Sequence, residues 1–200
     1  PFSQLPAGAK VGTSSLRRQA QIRRWRPDVE VVPLRGNLGT RLRKLEETDL
    51  DGIVLAAAGL HRLGWEAKIT EYFPPEQFIP AVGQGALGVE CREDDEAILT
   101  LLQAVHDTET AACVQAERAF LHRLEGSCQV PLGAYARWEN GRIVVEGFVA
   151  TPDGERFLSA TRQGRDPEAV GTSLAEALLA AGAGDILRRV TVENEGVRRP

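Results

Sequence analysis

Cys128 is the side chain in this 200-residue sequence that is best suited to covalent chemistry. It follows Gly126 and Ser127 and precedes Pro131. Glycine frees the backbone, and proline ends the helical run that comes before it, so we expect the thiol on an exposed turn near a domain edge. A cysteine thiolate is a strong nucleophile. The local sequence therefore favours a covalent attachment point over a buried cysteine that packs as a small apolar side chain.

Arginine supplies the second chemical feature, because 21 of the 24 basic residues are arginines. Residues 1–45 carry ten basic and two acidic side chains, whereas residues 46–200 carry 14 basic and 26 acidic ones. A guanidinium group binds a carboxylate through two parallel hydrogen bonds. The first part of the chain is therefore predicted to face anionic ligands.

Hydrophobic periodicity predicts an alternation of strands and helices in this first part. Strands are predicted over residues 9–13, 29–34 and 51–55, and each is followed by a turn of small residues and a helix. This order implies a parallel sheet, whose ligands bind beyond the carboxyl ends of the strands.

Several arginines fall at these carboxyl ends. One of the serines at positions 14 and 15 can cap the first helix, which begins just before Arg17 and Arg18. Backbone amides and arginines then converge on one anion site. The first turn of the second helix, predicted over residues 38–45, brings Arg41 close to Arg35.

The other basic residues on these two helices are predicted to lie on solvated faces. They are Arg23, Arg24, Arg26, Arg43 and Lys44.

The alternation of strands and helices ends at the proline pair at positions 74 and 75. A hinge is predicted over residues 79–86, a strand over residues 87–91, and an acidic surface helix from Glu93. A second unit begins near His106 with a long helix that runs to Leu124.

The second unit continues with three predicted strands and a closing helix, over residues 132–138, 142–150, 156–162 and 167–179. Turn residues separate the strands. We therefore expect a three-stranded antiparallel sheet with helices on one face.

Five segments of the sequence closely resemble the porphobilinogen deaminase family, also called the hydroxymethylbilane synthases. They are residues 11–19 (VGTSSLRRQ), 34–42 (LRGNLGTRL), 55–64 (LAAAGLHRLG), 81–86 (AVGQGA) and 117–133 (ERAFLHRLEGSCQVPLG). The resemblance covers most of residues 9–135 and is highly specific.

The resemblance implies an α/β fold class with two domains and a connecting segment. Residues 1–79 form a periplasmic-binding-protein-like parallel-sheet domain, the family's second domain. Residues 80–105 form a hinge and crossover segment that belongs to the first domain. Residues 106–200 form a small α+β C-terminal domain with a three-stranded antiparallel sheet, which carries the cofactor cysteine.

The function that the resemblance implies is that of a transferase in tetrapyrrole and haem biosynthesis. The family condenses four porphobilinogen molecules into hydroxymethylbilane with release of ammonia, primed on a dipyrromethane that a thioether joins to the cysteine. The implied cofactor-binding residues are Cys128, Ser15, Arg17, Arg18, Arg35, Arg41, Ala56 and Gln84, and the implied substrate-binding residues are Arg17, Arg35, Arg41 and Arg62.

We also expect the chain to be a fragment. It contains no methionine, and the family's proton-handling aspartate, in the N-terminal domain, has no counterpart here. The resemblance therefore implies no catalytic residue in these 200 residues and no activity for the fragment alone.

Composition bears on metal binding, cellular location and membrane association. Its three cysteines are widely spaced, which argues against disulfides and against a zinc site, so no metal is expected. A reducing cytoplasm is the simplest location. No apolar run approaches the roughly 18 residues that span a bilayer. We expect the full-length protein to be a monomer without membrane or nucleic-acid partners.

Two other classes of protein remain open. A parallel-sheet lobe with anion-binding helix ends also fits a solute-binding protein or the effector domain of a regulator, neither of which needs an attached cofactor. Nucleic-acid binding is the weakest alternative, because the arginines lie at strand ends and the rest of the chain is acidic.

Overall fold

The computed structural model describes residues 1–124 and 130–197, with side chains as far as Val190. The first unit contains strands β1 (Lys10–Gly12), β2 (Glu30–Val32) and β3 (Gly52–Ile53) and helices α1 (Leu16–Trp25), α2 (Leu38–Glu47) and α3 (Ala57–Arg62). The three strands form a parallel sheet in the order β2-β1-β3. The predicted α/β architecture is confirmed, although each strand is shorter than predicted.

The core of this unit lies between the sheet, α1 and the chain after α3. Val11 of β1, Ile22 of α1 and Phe78 are all buried in one apolar cluster. Phe73 packs against this cluster, and its ring centroid lies 5.0 Å from that of Phe78. Burial of Ile22 fixes the side of α1 that faces the sheet, and thereby the direction of its first turn.

The segment after residue 86 differs from its prediction. Residues 87–92 have no regular secondary structure, so the predicted strand over residues 87–91 is wrong. Leu87 and Val89 are 84% and 66% exposed. A strand needs a partner for its backbone groups, and no described residue pairs with this segment. Helix α4 (Glu96–Leu102) begins three residues later than predicted, because the Asp95 carboxylate accepts from the amide of Ile98 and caps it.

The second unit begins with helix α5 (Thr108–Arg123) and continues with strands β4 (Leu132–Glu139), β5 (Arg142–Ala150) and β6 (Phe157–Gly164) and helices α6 (Pro167–Ala180) and α7 (Ala183–Val197). The antiparallel order β4-β5-β6 confirms the predicted sheet. Asn140 and Gly141 join β4 to β5 with φ of 51° and 73°, as a two-residue hairpin turn requires. Helix α7 is an element that periodicity did not predict. The domain boundaries at residues 79 and 105 stay predictions.

Both faces of this antiparallel sheet are covered. Helices α5, α6 and α7 pack on one face around Phe120, Ile143 and Leu174. On the other face, Phe148 of β5 is buried together with Ala20 of α1. Helix α1 therefore lies between the two units and contacts both.

The position of α1 overturns part of the predicted solvated face. Arg23 Nη1 donates to the carbonyl of Pro152 at 2.7 Å, and the guanidinium of Arg24 lies 4.3 Å from the centre of the Phe157 ring. Arg26 Nη1 donates to the carbonyl of Phe2 at 2.9 Å. The prediction is wrong for Arg23 and Arg26. The polar side of α1 is covered by the second unit and by the first residues of the chain, and the pattern of one helix does not reveal such contacts.

The other two residues of that prediction lie on α2. Arg43 and Lys44 are both exposed, and Lys44 Nζ donates to the carbonyl of Arg35 at 3.3 Å.

Within the described part of the chain, no single helix is long and apolar enough to span a membrane, and only α6 together with residues 183–190, a pair bent by 82°, meets that test.

Candidate anion-binding site

The N-terminus of α1 is fixed at the carboxyl ends of β1 and β2. Ser15 is the N-cap, and its hydroxyl accepts from the amide of Arg18 at 3.4 Å. Ser14 has a different task, because its hydroxyl donates to the carbonyl of Leu34 at 3.0 Å and accepts from the amide of Leu34 at 2.9 Å. Ser14 therefore joins the start of α1 to the chain after β2, and the predicted cap is confirmed and assigned to Ser15.

Arg17 is held in place by neutral acceptors and is only 8% exposed. Its Nη1 donates to the carbonyl of Ile79 at 2.6 Å, and its Nη2 donates to Gln84 Oε1 at 3.1 Å. Gln21, one turn further along α1, pairs with both backbone groups of Ile79, at 2.7 and 3.0 Å. The segment after residue 78 is thus docked on α1 by hydrogen bonds that leave the charge of Arg17 uncompensated.

Arg18 is the second partly buried cation of this region. Its Nη1 donates to the carbonyl of Val54 at 2.8 Å, just after β3. Burial, and secondly the nearby charge of Arg18, lowers the pKa of Arg17 to about 10. Burial also lowers the pKa of Arg18, with the charge of Arg41 as the second cause.

No carboxylate of the described residues forms a salt bridge with Arg17 or Arg18. Two desolvated cations without counter-charges are costly in the free protein. An anionic ligand would relieve that cost, so this pair defines a candidate anion site.

A cavity of about 360 Å³ adjoins the two guanidinium groups. Its lining includes Ala56, the N-cap of α3, and Gln84. Apolar side chains such as Leu42 and Phe78 form other parts of the lining. A volume of this size is typical of small-molecule sites. The combination of cations and apolar walls suits a ligand with flat apolar rings and several carboxylates, which is the chemistry of a dipyrromethane.

Four of the predicted site residues line this cavity: Arg17, Arg18, Ala56 and Gln84. Ser15 lies at the same helix N-terminus, where its hydroxyl accepts from the amide of Arg18. Arg41 lies beside them. It is close enough to lower the pKa of Arg18, and its Nε donates to the carbonyl of Gly36 at 2.7 Å.

Three predicted site residues lie apart from the cavity or outside the described residues. Arg35 is exposed and does not line the cavity. Arg62 is exposed at the last position of α3 and does not line it either. Cys128 lies outside the described residues. The ligand-binding roles of all the predicted site residues stay predictions.

Sequence reasoning missed two residues that contact Arg17, Gln21 and Gly133, and one, Glu117, that bonds to the turn before Gln84. Gln21 follows Arg17 at the i+4 spacing of one helix face, which is a signal that could have found it. Glu117 lies on α5 between Cys113 and Phe120, so it is an acidic residue on a buried apolar face. Gly133 on β4 carries no local signal, because its role arises from a contact with Arg17 across the fold.

Together the fold and this site define an anion-binding α/β domain joined to a small α+β domain. Residues 1–100 match the family model described as porphobilinogen deaminase, dipyromethane cofactor binding domain. Residues 111–180 match the one described as porphobilinogen deaminase, C-terminal domain. The chain belongs to the porphobilinogen deaminase family, and the predicted family and cofactor class are confirmed.

Curated relatives support this assignment over nearly the whole chain. A porphobilinogen deaminase of Brevibacillus brevis is 54% identical over 195 residues, which are 97% of this chain and 63% of the relative. One of Thiobacillus denitrificans is 56% identical over 188 residues, 93% of this chain and 61% of the relative. The chain therefore spans 61–63% of the length of these two relatives.

Proposed function

We propose that this chain is part of a hydroxymethylbilane synthase, a transferase that joins four porphobilinogen molecules head to tail and releases one ammonia from each. The observation that carries the proposal is the pair of partly buried guanidinium groups, Arg17 and Arg18, which no described carboxylate neutralises and which line an otherwise largely apolar cavity. Porphobilinogen is a pyrrole with two carboxylates, so a growing chain of pyrroles requires several cations next to an apolar surface.

The roles proposed for the residues follow from their positions. Arg17 and Arg18 bind carboxylates in the cavity, and Arg41 adds positive charge beside Arg18. Arg35 and Arg62 lie on the exposed surface, where we propose that they contact the outer part of a longer pyrrole chain. When bound, the dipyrromethane supplies the pyrrole end to which new units are joined.

The proton-handling carboxylate is proposed to come from the part of the longer relatives that this chain does not span. On this proposal the 200-residue chain binds ligands but does not turn over porphobilinogen alone.

Cys128 is the proposed attachment point, and this assignment gives the sharpest test of the function. A full-length protein that contains this chain should show a mass larger than its sequence mass, and it should turn pink with acidic Ehrlich's reagent, which reacts with a free pyrrole α-position. Cys128→Ser should lose both signals. Serine has nearly the size of cysteine, but its hydroxyl is a much poorer nucleophile at neutral pH.

Cys113→Ser and Cys91→Ser are the matched controls. Cys113 is buried in α5, and burial raises the pKa of its thiol. Cys91 is partly buried in the irregular segment after residue 86. Both controls should keep the added mass and the colour. If Cys128→Ser kept them while a control lost them, the attachment site would be elsewhere. If wild-type protein showed no added mass, a solute-binding or regulatory role would be favoured.

We further propose that the full-length protein acts as a monomer in the cytoplasm, without metal, membrane or nucleic-acid partners. The unpaired thiols of Cys91 and Cys113 suit a reducing compartment. Light scattering after size-exclusion chromatography and fractionation of the source cells test the two parts of this proposal.

A further inference from the structure

Glu117 is a buried carboxylate that joins three parts of the fold. It projects from α5 and is 6% exposed. Its Oε1 accepts from the amide of Ala136 on β4 at 2.8 Å, and its Oε2 accepts from the amide of Gly83 at 2.6 Å. The pKa of Glu117 is raised by burial, and its two backbone hydrogen bonds oppose that shift. A carboxylate in such a place is costly unless it is hydrogen-bonded, and here each of its two oxygens accepts from a backbone amide.

The bond to Gly83 fixes a turn whose next residue contacts the anion site. Gly83 has a φ of 69°, in the region that favours glycine. Gln84 follows it and accepts from Arg17 Nη2 at 3.1 Å, while it also accepts from the amide of Ala81 at 3.2 Å. The position of Gln84 Oε1 therefore depends on the conformation of this turn.

The turn is attached to the rest of the molecule at its start, at Val82 and at Gly83. At its start, Ile79 is held by Gln21 and by Arg17 itself. Val82 packs against the apolar core of the second unit. Among the described residues, the amide of Gly83 donates to Glu117 alone. The packing of Val82 holds the turn against the second unit, and the hydrogen bond from Gly83 to Glu117 adds the directional contact next to Gln84.

We propose that Glu117 is a positioning residue for the anion site: it fixes the turn at Gly83, so that Gln84 holds the guanidinium of Arg17 toward the cavity. Glu117 touches no ligand in this role, and it acts only through the turn. The identity of the ligand, a pyrrole carboxylate, rests on the function proposed above.

The first test measures the reactivity of Arg17 directly in the full-length protein. Phenylglyoxal modifies accessible arginines, and peptide mass spectrometry locates the adduct. Glu117→Gln keeps the shape of the side chain, but its amide nitrogen cannot accept and its amide oxygen is uncharged. The bond from the Gly83 amide is therefore either lost or deprived of its charged acceptor. Modification of Arg17 should become at least several-fold faster in Glu117→Gln. Glu109→Gln removes an exposed carboxylate from the same helix and should leave the rate unchanged.

Gln84→Ala tests the same contact to Arg17 if Glu117→Gln folds poorly. Gln84 is exposed, so Gln84→Ala should fold, and it should also speed the modification of Arg17. In a folded Glu117→Gln protein, adding Gln84→Ala should increase the rate of Arg17 modification little further, because both changes disturb the same contact between Gln84 and Arg17. An unchanged rate in folded Glu117→Gln, an unchanged rate in Gln84→Ala, or fully additive effects would each overturn the proposal.

Steady-state kinetics separates positioning from a purely structural role. A structural role would lower the amount of active enzyme and leave KM for porphobilinogen unchanged. Positioning of a carboxylate-binding arginine should raise KM several-fold in Glu117→Gln at unchanged active-site content, and Glu109→Gln should match the wild type. An unchanged KM would overturn the proposal. If the wild type did not turn over porphobilinogen, the proposed function would fail, and the arginine reactivity would still decide the positioning role.

Discussion

The side chain of Arg17 rests against the backbone of Gly133, on a different structural unit. A Cβ atom on Gly133 would lie 3.0 Å from Arg17 Cδ, 3.0 Å from Phe148 Cε1 and 2.5 Å from the carbonyl oxygen of Pro80. The first strand of the antiparallel sheet is thus packed directly against the Arg17 side chain. The anion site therefore depends on the second unit as well as on the parallel-sheet unit.

Gly133→Ala should disturb both stability and ligand binding. The new methyl group meets a backbone carbonyl that cannot rotate away, so the turn after residue 79 must shift. Overpacking of this kind costs on the order of 1–3 kcal/mol. Denaturant unfolding should show that loss, and the KM of the full-length enzyme for porphobilinogen should rise.

Gly184→Ala is the matched control for this prediction. It lies in α7, where an added Cβ would make only ordinary contacts, the nearest at 3.5 Å. Its stability should equal or exceed that of the wild type, and its KM should equal that of the wild type. A Gly133→Ala protein with wild-type stability and KM would show that the close packing around Arg17 is unimportant.

Arg17→Leu and Arg18→Leu should each block cofactor assembly or stall chain elongation in the full-length enzyme. Each change leaves a ligand carboxylate without its charged partner, at a cost on the order of 2–5 kcal/mol. The fold should persist, because Gln21 still donates to the carbonyl of Ile79 when Arg17 is replaced. The added mass of the purified protein and single-turnover assays measure the two steps.

The exposed Arg43 on α2 provides a charge-matched control. Arg43→Leu should assemble its cofactor and turn over porphobilinogen as the wild type does. Wild-type turnover in both Arg17→Leu and Arg18→Leu would contradict the carboxylate-binding assignment.

The lowered pKa of Arg17 predicts a pH limit on ligand binding. Burial disfavours the charged form and lowers the pKa of this group to about 10. Only the charged form attracts a carboxylate, and pyrrole carboxylates stay ionised throughout this range. Affinity should therefore fall as the pH rises through about 10, by roughly tenfold for each further pH unit.

Calorimetric titration of the 200-residue chain with porphobilinogen, from about pH 8 to pH 11, measures this dependence without turnover. In Arg17→Leu the affinity should already be low at the lower pH and should change much less. An affinity in the wild type that stayed constant up to about pH 11 would show that Arg17 is not the cation that binds the ligand.

The order of elements in the first unit could be predicted because its signals are local. Apolar runs, small-residue turns and a capping serine indicated three strand-helix pairs. Ser15, Arg17 and Arg18 follow β1 directly, and because the carboxyl ends of parallel strands share one edge, Arg41 after β2 was expected on the same side. The structure keeps this convergence and adds Gln84, which the family resemblance had already indicated.

The packing between the two units could not be predicted in the same way. Arg23 and Arg24 follow a solvated-face pattern on α1, yet they contact residues more than a hundred positions away. Gly133 supports Arg17 through a similarly distant contact. Local periodicity reports which side of one helix is apolar, but it does not report which other element will cover the polar side.

The predicted strand over residues 87–91 was wrong for a related reason, and it leads to a test of the segment itself. Its apolar alternation is real, but no described residue offers it a partner, and no amide of these five residues donates a hydrogen bond that the structure records. Their amides should therefore exchange with solvent about as fast as those of an unfolded peptide. Hydrogen exchange with mass spectrometry of the 200-residue chain measures this directly.

Strand β5 gives the internal comparison, because it is paired on both sides and Ile143 and Val145 within it are fully buried. The amides of β5 should exchange several orders of magnitude more slowly than those of residues 87–91. Size-exclusion chromatography must accompany the experiment, since the exposed Leu87 and Val89 could be covered by self-association. In the full-length protein the same segment should become protected, because the family resemblance places its strand partners in the first domain. Slow exchange of residues 87–91 in a monomeric 200-residue chain would mean that the segment finds its partners within these residues, and its assignment to the first domain would be wrong.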